Sequence, residues 1–186
     1  MNLYLNNEAF MDDTQISAGK DTIAFASLLS GAYASAAVAL LFLGIDAMRG
    51  DPFFTPSLMG SVLLLGSEPS AALPVRLDMV AYYSLMHVVL FSLLGTVFTL
   101  ACLRVTTLTK RPVIFAGVIL GTLTLGMVGL DVAWFPGLVQ AIGPVPLVAA
   151  NLGAAVVMSV FIARALARDT IRGAKPDAVE AVAPAR

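Results

Sequence analysis

The sequence predicts an all-α integral membrane protein, a four-transmembrane-helix bundle with a short interfacial or re-entrant helix between spans one and two. Three observations carry that class. Apolar residues make up 59% of the 186-residue chain and charged residues 12%, against roughly 25% charge in soluble domains. The mean hydropathy is +0.89. Four stretches, Ile23–Ile45, Met79–Leu103, Val113–Phe135 and Val145–Ala163, approach or exceed the ~20 apolar residues needed to cross a hydrocarbon core of ~30 Å. Of the 23 Asp, Glu, Lys and Arg residues, only Asp131 falls inside one of them. Backbone groups in lipid must be satisfied within helices or closed barrels, and apolar runs without period-two alternation choose helices. This composition excludes a cytosolic globular domain, a disordered chain and a nucleic-acid binder.

The first 22 residues read as a cytoplasmic tail. They carry Glu8, Asp12 and Asp13 and lack the basic start of a signal peptide, so span one is expected to be retained. Within it Ser27, Gly31, Ser35 and Ala39 recur at four-residue steps, a smooth face against which a neighbouring backbone can close. The patch Phe53–Gly66 follows. Its helix is expected at about 56–65, with Thr55 as N-cap, Pro56 at the first position and Gly66 as the stop. Ten residues rise only about 15 Å, too short for a crossing.

Span two carries Tyr82, Tyr83 and His87 near its start and large residues such as Phe91 and Phe98 beyond. A side rich in large residues faces lipid or a cofactor. Span three holds Gly117-x-x-x-Gly121 and ends at Asp131, Trp134 and Phe135. Span four holds Asn151. The four spans form one domain, 23–168, and residues 169–186, rich in Ala, Pro and charge, read as a mobile cytoplasmic tail. No register matches spans one and two to spans three and four, and no span is interrupted at mid-membrane as in many secondary transporters.

Orientation follows from the basic residues. With the N-terminus inside, nine Lys and Arg lie on the cytoplasmic side and two, Arg49 and Arg76, outside. That is a positive-inside bias, with aromatic residues at the outer interface. Both termini are expected to be cytoplasmic, and the chain to reside in a bacterial or archaeal cell membrane.

This threading gathers polar residues at one height. Asp46 ends span one, His87 lies about 12 Å into span two, Asp131 ends span three and Asn151 lies about 9 Å into span four. With Tyr82 and Tyr83 they form a layer in the outer half. An ionisable group there is costly unless paired. Asp131 reads either as a proton- or cation-binding carboxylate or as a group hydrated at the interface or paired with Arg49 or Arg76. His87 reads as a ligand to a haem or chlorophyll-type pigment, a quinone partner, a proton carrier or a hydrogen-bonding group, to Asn151 of span four or to Ser84 one turn away. Asn151 reads as an interhelical bond.

One cysteine, Cys102, and one histidine exclude an intrachain disulfide and a multi-histidine metal site. No metalloprotease helix, phosphate loop or nucleophile elbow occurs, so no catalytic or metal residue is assigned. Three functions are compatible. The first is a non-catalytic accessory or scaffold subunit of a larger membrane complex, contacting a cofactor through His87. The second is a small oligomeric proton- or cation-coupled transporter or channel using Asp131 and His87. The third is a quinone- or haem-linked redox protein. The expected partners are lipid and other membrane subunits or further copies of the chain.

Overall fold

The computed structural model describes residues 4–105 and 110–173, with side chains from 23 to 105 and from 110 to 168. Among the described residues the chain is all-helical, without strands. Six helices follow in order: α1, Tyr4–Arg49; α2, Phe54–Leu65; α3, Leu77–Arg104; α4, Pro112–Ala133; α5, Leu138–Ile142; and α6, Pro144–Gly173. Four of them are long and apolar enough to cross a membrane, over Ile23–Arg49, Leu77–Arg104, Pro112–Ala133 and Pro144–Arg168. These match the four expected spans to within a few residues at each end. The chain has the make-up of a multi-pass membrane protein in contact with lipid.

Several boundaries differ from the sequence reading. Helical backbone begins at Tyr4, so span one continues a helix that starts inside the segment read as a tail. At the other end α6 carries helical backbone to Gly173, and the remainder of the expected tail lies outside the described residues. The short helix has 12 residues and begins at Phe54 rather than Pro56, which gives it about 18 Å of length. Thr55 is not its N-cap. Phe53 takes that place with φ 73°, and Thr55 is held by Asp46 instead. Gly66 does end the helix, at φ 66°, its N–H returning to the Ser61 and Val62 carbonyls in the manner of a left-handed C-cap. A second short helix, α5, occupies what reads in sequence as a loop between spans three and four.

Two close approaches fix α1 at the centre. A Cβ on Gly31 would overlap the Phe91 carbonyl of α3, and one on Gly95 would lie 2.6 Å from the Ser27 carbonyl oxygen. The two glycines thus let α1 and α3 meet backbone to backbone. The Ser27 and Ser30 hydroxyls, buried at this approach, donate back to the carbonyls of Ile23 and Ser27. The opposite flank of α1 lies against α6, where Tyr33 stacks on Phe161 at 4.6 Å. Helix α4 rests on α6, and α2 rests on α3, with Gly60 tight against the Met79 backbone.

The expected packing face of span one is used only in part. Ser27, Gly31 and Ser35 are buried, whereas Ala39 is exposed. Four residues turn a helix by about 400°, so each step drifts about 40° around the axis. Three steps carry Ala39 off the α3 contact. Gly117 and Gly121 do not pack inside the chain either, since a Cβ at each would meet open space.

Helices α3 and α4 barely meet. The Phe98 and Phe115 rings touch edge to face at 6.3 Å, near the ends joined by residues 105–111, and beyond them the two helices diverge. The helices run α2, α3, α1, α6, α4 around the molecule, with the α3–α4 side left open.

Candidate functional site

The open side encloses a groove of about 940 Å³, at the upper end of the ~300–1,000 Å³ range of small-molecule sites. Ser35 of α1, His87 and Phe91 of α3, Thr122 and Gly126 of α4 and Asn151 of α6 all line it. Residues of α2 cover it at one end, and the Phe98–Phe115 contact lies towards the other. Among the described residues no Asp, Glu, Lys or Arg contributes to its wall.

The aromatic wall is built at four-residue spacing on α3. Tyr83 Oη and His87 Nδ1 are hydrogen-bonded at 3.2 Å. The His87 ring lies 5.3 Å from that of Tyr83 and 4.4 Å from that of Phe91, tilted against both. His87 Nε2 is buried and has no hydrogen-bond partner among the described residues. A buried ring nitrogen left unpaired is uncommon, because its desolvation is uncompensated. The hydrogen bond expected from His87 to Asn151 or Ser84 is therefore replaced by one to Tyr83.

The rest of the expected polar layer divides. Asn151 lines the groove, its Nδ2 donating to Thr124 Oγ1 at 3.3 Å, an interhelical bond between α6 and α4. Tyr82 is 61% exposed and faces away. Asp46 and Asp131 do not line the groove. Asp46 is fully buried; its Oδ2 accepts from the Thr55 backbone N–H at 2.7 Å and its Oδ1 from the Thr55 hydroxyl at 2.9 Å. Asp131 Oδ1 accepts from the Val139 N–H at 2.8 Å. Each carboxylate thus reaches from the end of a span to the second residue of the short helix that follows, where amide donors lack intrahelical partners and negative charge is favoured. Asp131 has no ion pair with Arg49 or Arg76. Arg76 instead pairs with Asp78 at 2.6 Å, whose hydrogen bond and charge raise the arginine pKa further.

These contacts expose a duplication that the sequence reading missed. Gly44-Ile45-Asp46 ends one long helix and Gly129-Leu130-Asp131 another. After each comes a residue with positive φ, Phe53 or Gly137, then a short helix, then a glycine with positive φ, Gly66 or Gly143. The available signal was the repeated Gly-x-Asp. It is faint because the two connections differ in length and the spans around them are uniformly apolar.

The groove residues Thr122, Gly126, Met127 and Trp134 were also missed, since no spacing marks which side of α4 is left without a neighbour. Cys102 is buried against Phe115 and Ile162 and takes no part. Among the described residues no group of three or more His, Cys, Asp or Glu is placed to hold a metal. No family model, curated protein or solved structure matches the chain.

Proposed function

We propose that the chain is a non-catalytic multi-pass membrane protein, an accessory subunit that packs against a larger membrane complex through α4. The observation that carries this reading is the bareness of that helix. In its most apolar stretch 17% of residues are buried, against 44% in α6. Gly117 and Gly121, which do not line the groove, have open space where a Cβ would stand. Small residues turned towards lipid gain nothing from it, but they allow another helix to approach closely. The alternative, a proton- or cation-coupled transporter using Asp131 and His87, has less support. Asp131 holds the α5 amide and stands apart from the wall that contains His87.

The test is purification from native membranes in mild detergent. The reading expects other membrane chains to co-purify in fixed ratio and to be lost with Gly117→Leu plus Gly121→Leu, while the variant remains folded. A chain that purifies alone, or only with copies of itself, overturns it.

A further inference from the structure

We infer that the groove between α3 and α4 is a binding site for a membrane quinone. The inference stands apart from the accessory reading, because it rests on the wall of the groove and not on the outer face of α4.

Size, charge and hydrogen bonding each restrict the occupant. The groove follows α3 from Val80 to Leu94, about 21 Å of helix, so it takes an elongated molecule. Its wall is mainly aliphatic and aromatic and carries no ionic side chain among the described residues. A phosphate or ammonium headgroup would therefore lose its hydration without compensation, which excludes a phospholipid seated head-first. An uncharged ring is favoured by the run of Tyr83, His87 and Phe91, whose neighbouring centroids are 5.3 and 4.4 Å apart. That ring should carry an oxygen, because His87 Nε2 is buried without a partner beside the groove.

The Tyr83 contact makes His87 suitable for both redox forms of such a ring. When the tyrosine hydroxyl donates to Nδ1, Nε2 carries the ring proton and donates to a quinone carbonyl. When Nδ1 carries the proton and donates to the tyrosine oxygen, Nε2 accepts from a quinol hydroxyl. The apolar tail then follows α3 and α4 past Leu94 and Leu123.

The experiment uses Trp134, the one tryptophan of the chain and a residue of the groove wall. The full chain is placed in vesicles of synthetic phosphatidylcholine and titrated with decylubiquinone while Trp134 fluorescence is read. The expected result is saturable quenching above the linear collisional background. Gly126→Leu fills the groove from a position with open space and should abolish the saturable part. His87→Phe should weaken it about tenfold, the worth of one hydrogen bond, and Leu125→Ala, away from the groove, should leave it unchanged. If His87→Phe does not fold, His87→Gln replaces it, with a smaller loss expected. Linear quenching alike in wild type and Gly126→Leu overturns the proposal. So does saturable quenching that the His87 variant leaves untouched, or equal displacement of the quinone by added cholesterol.

Discussion

At the scale of single residues, glycines of one composition have opposite meanings. Gly31 stands where a Cβ would overlap a backbone carbonyl, which no side-chain rotation relieves. Gly117 stands in open space. Gly31→Ala is therefore expected to lower the stability of the purified chain by about 1–3 kcal/mol, the usual range for overpacking. Gly117→Ala should leave it unchanged or raise it by up to about 1 kcal/mol through helix propensity. Thermal unfolding in one detergent, followed by circular dichroism, distinguishes them; equal midpoints would mean that α1 and α3 do not approach as described. Both glycines sit in four-residue repeats of small residues, and the sequence alone offers no way to tell them apart. What separates them is the neighbour, which helix periodicity does not name.

The elements differ in how much of them was legible. The long helices were readable because about 20 apolar residues have few alternatives in lipid. The end of α2 was readable because Gly66 has a local conformational role. Its start was not, because Asp46, nine residues upstream, holds Thr55 in place, and a tertiary contact overrides the local capping signal. Helix α5 was unreadable for the same reason, with Asp131 supplying its anchor from α4. Of the polar residues expected at one height, His87, Asn151 and Tyr83 line the groove and Asp46, Asp131 and Tyr82 do not, because height does not say which way a side chain faces. The capping role gives a test. Asp131→Asn keeps an acceptor for the Val139 N–H and should retain most of the stability, whereas Asp131→Ala should lose about 1–3 kcal/mol. Hydrogen exchange at Val139 should quicken in the alanine variant and little in the asparagine one. An asparagine variant as unstable as the alanine one would show that the charge, not the hydrogen bond, holds α5.

At the scale of the whole molecule, the repeated order of long, short and long helix has a geometric consequence. Helices α1 and α3 pack together, as do α4 and α6, and each short helix lies on its own pair. Two such halves facing each other have two possible contacts between them. One, α1 with α6, is closed by the Tyr33–Phe161 stack; the other, α3 with α4, is open. The groove is thus the unfilled half of an otherwise matched arrangement, and its polar atoms lie towards the end that carries α2 and α5. If all four long helices cross, both short helices lie on one side of the membrane and the 105–111 connection on the other. The nine basic residues in and beside that connection and in the tails lead us to expect that side in the cytoplasm, and labelling tests the expectation. In a Cys102→Ala background, Ala71→Cys should react with a membrane-impermeant maleimide added to intact cells. Lys110→Cys should react only after the cells are opened. Both positions are exposed, so a failure to label reports the membrane and not burial. The reverse pattern would place the groove's polar end at the cytoplasmic face. Labelling of both in intact cells would mean that one of the four helices does not cross, and the open side would then have to be explained without a bilayer around it.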